Sequence, residues 1–374
     1  MFLVTIYSIL LLAGMFVSQL FDLAPVQDIL IRTTTVCLAY IMIEVGLEFA
    51  INKNSIKSYA FDYFVAATAA GFPWVFCSIY FMLFLNLDWK DALLIGRFAA
   101  PTSAGILFTM LAAAGLGTTW LFRKARVLAV FDDLDTILFM IPLKVMFVGL
   151  RYELIVVVPL ILALLAVGYK WLHFLRLPIG KPWLLMYGSA VVYAAELLEH
   201  TTKVHLEVLL PAFVLGCILF NPHDPQHPGE YAHEHRYLEP TPPWAVVLDR
   251  VIKGLFMFFV GCSLPKIAVQ NISLGVIFLH VMAVTVVSNL GKCFPMFCYR
   301  RSADLRHRLA LSIAMFPRGE VGAGVLLVAM GYGLDGFATT ISVLSLAMNL
   351  LLTGVFITIV IQLIRPPRKS QKKC

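Results

Sequence analysis

Long apolar runs separated by short polar connections make up most of the chain. We place twelve runs at residues 2–21, 29–50, 59–86, 91–114, 126–149, 153–175, 183–199, 204–220, 245–263, 274–299, 308–331 and 339–363. Most approach the roughly 20 residues that a membrane-spanning helix needs. The apolar positions are continuous and do not alternate with a period of two, which favours helices over the strands of a membrane barrel. The pattern therefore predicts an all-α polytopic membrane protein with about 12 transmembrane helices.

The composition strengthens this prediction and excludes several classes of protein. The 374 residues are 60% hydrophobic and only 14% charged, whereas soluble domains are about 45–50% apolar and about 25% charged. No Walker sequence occurs, which excludes transport driven by ATP hydrolysis on this chain. Six of the seven cysteines lie inside apolar runs without metal-ligand spacing, and we interpret them as small apolar residues. We expect no enzymatic activity and no cofactor.

The basic residues indicate a topology. A net charge of +7 could suggest a nucleic-acid partner, but its distribution follows the connections between runs. If the N-terminus is cytoplasmic, one set of connections and the tail hold 18 Lys and Arg residues, and the opposite set holds only Lys90, Arg151, Lys203 and Lys266. Cytoplasmic loops carry the excess of Lys and Arg in membrane proteins. We therefore expect a lipid bilayer around the chain, both termini in the cytoplasm and no nucleic-acid partner.

Charged residues inside the apolar runs are the first candidates for function. The fifth run carries Asp132, Asp133 and Asp135. Paired carboxylates in a cavity of low dielectric constant can hold protons or a hard cation near neutral pH; the alternative is a helix end solvated at the headgroups. Arg97, Lys292 and Arg318 lie deep in their runs, where a charge usually has a partner or a task. Lys144, Arg250 and Lys253 lie nearer run ends and could extend to the interface.

Two runs are interrupted near their middles by proline and glycine. The fourth run carries Arg97-Phe98-Ala99-Ala100-Pro101-Thr102-Ser103-Ala104, and the eleventh carries Phe316-Pro317-Arg318-Gly319-Glu320-Val321-Gly322. Unwound backbone at this depth is tolerated only beside a cavity, and paired interruptions in two halves of a transporter point to a binding site. If the repeats are spans three to five and ten to twelve, both interruptions fall in a middle helix. The two repeats then have opposite orientation.

Five stretches together carry a resemblance to a known family. They are Ile43-Glu44-Val45-Gly46-Leu47-Glu48-Phe49, Ala100-Pro101-Thr102-Ser103-Ala104, Asp132-Asp133, Pro317-Arg318-Gly319-Glu320-Val321-Gly322, and Pro243 to Pro265 with Phe258-Phe259-Val260-Gly261. In this order the chain resembles the monovalent cation:proton antiporter superfamily, in particular bacterial sodium/proton antiporters of the NhaA and NapA types. The likeness extends over nearly the whole chain.

The resemblance implies a function and a set of site residues. Asp133 would be the principal carrier of Na⁺ and protons, with Asp132 beside it, and Thr102 and Ser103 would lie where two broken helices cross at Pro101 and Pro317. Lys292 would pair with the carrier aspartate, as in electrogenic members that exchange two protons for one cation. The expected protein is a homodimer in a bacterial inner membrane that exchanges sodium or lithium for protons.

The resemblance also implies how the chain is divided. Helices 1–2 (residues 1–58) and helices 7–9 (residues 183–273) would form a dimerisation panel, and residues 221–244 of the latter form a histidine-rich loop. Residues 59–149 and 274–363 would be the two repeats of a mobile core. A linker helix at 150–182 and a basic cytoplasmic tail at 364–374 complete the assignment.

Some residues and rival functions remain open at this stage. Glu44 and Glu48 share a helix face and could line an entry path or pair with a cation, whereas Arg318 and Glu320 suggest a structural ion pair. We expect the loop histidines, which are His223, His227, His233 and His235, to be solvated. The rival functions are a potassium/proton antiporter or efflux relative, a sodium-coupled symporter of the bile-acid type, an intramembrane aspartyl protease and a non-transporting ion sensor. The protease would need a Gly-x-Gly-Asp sequence, which is absent.

Overall fold

A computed structural model describes residues 2–21, 23–47, 56–149, 174–202, 208–220, 242–262, 273–334 and 336–364, with scattered positions between 156 and 171. This part of the chain is almost entirely helical. The helices are α1 (Phe2–Leu20), α2 (Gln27–Leu47), α3 (Ile56–Phe84), α4 (Trp89–Gly96), α5 (Ala104–Ala113), α6 (Trp120–Val148), α7 (Lys181–Thr202), α8 (Leu209–Ile218), α9 (Pro243–Cys262), α10 (Leu274–Gly291), α11 (Leu305–Ala314), α12 (Glu320–Gly331) and α13 (Phe337–Ile364).

Six stretches of the described chain are long and apolar enough to cross a membrane. They are Phe2–Leu20, Gln27–Leu47, Ser58–Phe84, Trp89–Ala113, Leu274–Phe297 and Phe337–Ile364. Three of the remaining helices differ for identifiable reasons: α6 spans 29 residues but carries six charged residues between Arg123 and Asp135, and α11 and α12 have only 10 and 12 residues. The protein is therefore a multi-pass, nearly all-helical membrane protein. The number of about 12 spans stays a prediction.

Local sequence determines where the helices next to the interruptions begin. The Ser103 side chain accepts a hydrogen bond from the Ile106 amide at 3.3 Å and starts α5. Thr119 accepts in the same way from the Phe122 amide at 3.2 Å and starts α6. Ser and Thr are favoured at this position because their oxygen satisfies one of the free amides of the first helical turn. The caps set the start of the helix that holds the three aspartates.

Close helix packing in one group of helices depends on small residues. A Cβ atom added at Gly261 of α9 would lie 2.2 Å from the Leu11 carbonyl oxygen of α1, and one at Gly14 would lie 2.0 Å from the Phe258 carbonyl oxygen. Such a distance is far inside van der Waals contact, so only glycine fits. Small residues commonly allow membrane helices to approach this closely. Helices α1 and α9 therefore pack backbone against backbone.

Several predicted features lie outside the described residues. They are Glu48, most of the linker helix at 150–182, residues 221–241 of the histidine-rich loop with all four of its histidines, and the tail from residue 365. The described cysteines, which are Cys37, Cys77, Cys217, Cys262, Cys293 and Cys298, are free thiols.

Candidate functional site

Three aspartates of α6 are buried in the interior of the helix bundle. Asp132 and Asp135 are fully buried and Asp133 is only 3% exposed. They lie well inside the 29-residue helix, twelve residues or more from its first residue, Trp120. A solvated helix end, the alternative considered from the sequence, does not describe this position.

Lys292 forms an ion pair with the first aspartate. Its Nζ atom lies 3.0 Å from Oδ1 and 2.9 Å from Oδ2 of Asp132, and both side chains are fully buried. From the resemblance we expected Lys292 to pair with Asp133. The described ion pair of Lys292 is with Asp132, and adjacent positions of a helix point about 100° apart, so Asp133 occupies a different face of α6. The two carboxylates therefore differ: Asp132 binds Lys292, and Asp133 lies next to this ion pair.

The two proline-containing interruptions meet beside this ion pair. Helix α4 ends before residues 97–103 and α11 ends before residues 315–319. The Thr102 amide donates to Oδ2 of Asp132 at 2.7 Å, and the Thr102 hydroxyl donates to the Met315 carbonyl at 3.1 Å. The Ser103 amide donates to the Pro317 carbonyl at 2.9 Å. Backbone groups that lack helical partners in one interruption are therefore hydrogen-bonded by the other interruption. Irregular backbone inside a membrane requires such internal hydrogen bonds.

Arg318 connects three elements at the second interruption. Its guanidinium donates to the Ala99 carbonyl at 2.7 Å, to Oδ1 of Asn289 at 2.7 Å and to the Ser288 carbonyl at 3.0 Å. Two of these acceptors lie in the last turn of α10, where a cation stabilises the negative end of the helix dipole. We expected an ion pair for Arg318. Its described partners are instead carbonyl and amide oxygens, and the Glu320 side chain lies outside the described part of the structure.

Arg97, in the first interruption, contacts α6 at the buried residue Asp135. One guanidinium nitrogen of Arg97 donates to the backbone carbonyl of Asp135 at 2.9 Å. The guanidinium also lies 5.0 Å from the centre of the Trp74 ring and 5.4 Å from that of Phe139, distances at which a cation is attracted to an aromatic face. The sequence marked Arg97 as deep, and the structure surrounds it with aromatic rings and a carbonyl.

A second ionic cluster lies where α2, α7 and α9 meet. Lys253 lies 2.7 Å from Oε2 of Glu44 and 2.9 Å from both oxygens of Asp249. Lys181 bonds to Oε1 of Glu44 and lies 3.5 Å from Asp249. Our expectation that Lys253 extends to the interface is therefore wrong, because two carboxylates hold it and leave it only 12% exposed. The spacing of Asp249 and Lys253, four residues apart on one helix face, was the overlooked signal.

A fourth buried acid, Asp62, was missed entirely. This residue of α3 is 1% exposed. Lys124 of α6 donates to its two oxygens at 3.0 and 2.7 Å, and the Tyr299 hydroxyl donates to Oδ1 at 2.7 Å. A single acid near the start of an apolar run gives no sequence signal for such a contact, since its partners lie 62 and 237 residues away. This cluster joins α3, α6 and the segment before α11.

The chain matches solved structures, although a scan against protein families and a search of curated proteins both find no match. A structure of the sodium proton antiporter MjNhaP1 from Methanocaldococcus jannaschii at pH 8 has a TM-score of 0.60 at 14% sequence identity, covering 94% of this chain and 89% of that chain. An electron-microscopy map of the same antiporter has a TM-score of 0.63 at 15% identity, covering 96% and 92%.

These comparisons define the fold of the chain. Because each match covers most of both chains at a TM-score of 0.60 or above, the chain shares the fold of these solved structures. The resemblance inferred from the sequence motifs is thereby confirmed at the level of the fold.

Proposed function

We propose that this protein is a secondary active transporter that exchanges sodium or lithium for protons across a membrane. The observation that carries the proposal is the fully buried ion pair of Lys292 and Asp132 directly beside Asp133. A buried carboxylate pair with a movable positive charge can hold a cation or protons but not both. The antiporter fold of the chain supports the same function.

Competition for the carboxylates couples the two fluxes. A cation that binds at Asp133 and Asp132 displaces the Lys292 ammonium or a proton, because an uncompensated positive charge is costly in a buried site. When the site opens to the other side of the membrane, protons displace the cation in turn. If Lys292 also releases a proton while Na⁺ is bound, more than one proton moves per cation. Exchange is then electrogenic.

We place this chemistry in the architecture implied by the resemblance. The two interrupted helices, α4–α5 and α11–α12, cross within a core of two inverted repeats, residues 59–149 and 274–363. Twelve spans put both termini in the cytoplasm, a panel formed by residues 1–58 and 183–273 supports a homodimer, and a bacterial inner membrane is the expected location. The core moves relative to the panel and exposes Asp133 to either side in turn.

The direct test is cation-driven proton movement in proteoliposomes. The purified protein is reconstituted with a pH-sensitive dye in the lumen, and pulses of Na⁺, Li⁺, K⁺ or choline are applied outside. We expect Na⁺ and Li⁺, but not choline, to alkalinise the lumen, because protons leave as the cation enters. A response to K⁺ alone would identify a potassium/proton antiporter, and no response to any cation at any pH would contradict transport.

A further inference from the structure

The segment that joins α10 to α11 carries four arginines within nine residues, which are Arg300, Arg301, Arg306 and Arg308. The first three are exposed, and none of their side chains forms a hydrogen bond or an ion pair with a residue that the structure describes. The one acid among residues 300–308, Asp304, binds the backbone amide of His307 at 3.3 Å and also its ring. The segment therefore presents positive charge that no described carboxylate neutralises.

This arginine-rich segment, residues 300–308, follows directly on a stretch that can cross the membrane. The apolar stretch Leu274–Phe297 is long enough to span a bilayer. Arg300 comes three residues later, which is at most about 11 Å of extended chain. The headgroup layer adds about 5–8 Å on each side of the hydrocarbon core. Arg300 and Arg301 therefore lie within reach of the lipid phosphates.

The backbone around the arginines is fixed by contacts on both sides. Tyr299 has a φ of 53°, and its hydroxyl donates to the buried Asp62 of α3 at 2.7 Å. Arg308 donates to the Met296 carbonyl at 2.7 Å, and the Ala303 amide donates to the Tyr299 carbonyl at 3.0 Å. A ligand of the exposed arginines does not have to order this backbone, so less conformational entropy is lost on binding.

An exposed aromatic surface lies next to the arginines. The Phe294 ring packs edge-on against Phe64 and Phe72 of α3, with ring centres 6.1 and 5.5 Å apart. Phe64 is 58% exposed and Phe297 is 57% exposed. Apolar rings beside exposed cations match a ligand that has both an anionic head and an apolar tail. A small free anion would leave these rings unused.

We infer that Arg300, Arg301 and Arg306 bind the headgroups of anionic phospholipids, whose acyl chains lie against the aromatic surface formed by Phe64, Phe72, Phe294 and Phe297. A guanidinium presents several N–H donors that match phosphate oxygens. A cluster of basic residues immediately after a membrane helix is typical of segments that bind anionic lipids. By the basic-residue asymmetry, the lipids belong to the cytoplasmic leaflet. The inference does not depend on which ion the protein transports.

Thermal unfolding of the purified protein with added lipid tests this surface without transport. The protein in a neutral detergent is titrated with phosphatidylglycerol, with phosphatidylcholine or with inorganic phosphate at the same concentrations. We expect phosphatidylglycerol to raise the unfolding midpoint above that reached with either of the others, because a ligand of the folded state stabilises it. Replacing Arg300, Arg301 and Arg306 together with Gln should raise the half-saturating phosphatidylglycerol concentration about a hundredfold, since each arginine contributes about fivefold.

A second triple variant controls for the loss of charge. Replacing Lys170, Arg176 and Arg250 with Gln removes the same charge from exposed positions elsewhere, and it should leave the response to phosphatidylglycerol unchanged. The inference is overturned if this control weakens the response as much as the first variant does. A rise of equal size with phosphatidylcholine or with inorganic phosphate would also overturn it.

The unfolding midpoint without lipid provides a further check. The first triple variant should unfold at the wild-type midpoint in detergent alone, because the three arginine side chains bond to no described residue. A clearly lower midpoint would show that these arginines hold the fold together, and it would contradict their assignment to a lipid surface.

Discussion

The ammonium of Lys292 lies 2.9–3.0 Å from both carboxylate oxygens of Asp132, and neither side chain is exposed. The pair joins α6 to the residue that directly follows α10, and the two residues lie 160 positions apart in sequence. The Thr102 amide adds a third contact to the same carboxylate at 2.7 Å. Asp132 is therefore strongly constrained, which supports the proposal that its neighbour Asp133 carries the exchangeable charge.

Removing the charge of Asp133 should abolish exchange. Asp133→Asn keeps the size of the side chain, but the amide carries no negative charge. It therefore neither takes up a proton at physiological pH nor balances the charge of a bound cation. We expect cation-driven proton movement in proteoliposomes to fall to the level of empty liposomes, while the protein still elutes as a single folded species. Asp28→Asn is the matched control and should exchange normally. Undiminished exchange by Asp133→Asn would refute the mechanism.

Replacing Lys292 should have a milder and different effect. Lys292→Gln removes one titrating group and one competitor for Asp132, so we expect exchange to continue with a weaker dependence on membrane potential. The measurement is the exchange rate at a series of imposed potentials, compared with the wild type at the same pH. The same voltage dependence in both proteins would rule out a role for Lys292 in charge movement and would leave the role of Asp133 intact.

Arg318 should be required for the integrity of the interrupted helices. Arg318→Gln loses donors to Ala99, Asn289 and Ser288, and hydrogen bonds to a charged group contribute about 1.5–3 kcal/mol each. We expect the free energy of unfolding to fall by at least about 3 kcal/mol and exchange to be lost. Arg318→Lys keeps the positive charge but loses the planar set of guanidinium donors, so we expect it to recover little of the lost stability or exchange. Full stability of Arg318→Lys would show that charge alone suffices.

The hydroxyl of Tyr299 should stabilise the protein without affecting ion choice. Tyr299→Phe removes the 2.7 Å hydrogen bond to the buried carboxylate of Asp62, and we expect a loss of about 1.5–3 kcal/mol as a lower thermal unfolding midpoint. The relative rates with Na⁺ and Li⁺ should not change. Tyr193→Phe, at a residue that is 68% exposed, is the control. Equal midpoints for the two variants would contradict the contribution of this bond.

The histidine-rich loop should be dispensable for exchange. Replacing His223, His227, His233 and His235 together with Gln should leave the maximal rate in proteoliposomes intact, because a polar loop of this composition is expected to be solvated. A change confined to the pH profile agrees with this prediction. Complete loss of exchange by a well-folded variant would show that the loop takes part in turnover.

The sequence by itself determined the class of protein and the chemical groups of the site. Long apolar runs define membrane helices because lipid does not hydrogen-bond a backbone, and proline and glycine mark the interruptions because they remove a donor or a side chain. Charges at Asp132, Asp133, Arg97, Lys292 and Arg318 stand out since each is costly in lipid. Every one of these residues is buried in the structure.

Only the tertiary structure decided which charges pair. Lys292 binds Asp132, Arg318 donates to carbonyl and amide oxygens, and Lys253 reaches Glu44 of α2 as well as Asp249 of its own helix. The physical reason is distance: the partners lie 160 residues apart for Lys292 and Asp132 and 237 for Tyr299 and Asp62. A helical sequence specifies which face a side chain occupies, whereas helix packing selects the neighbour that the face meets.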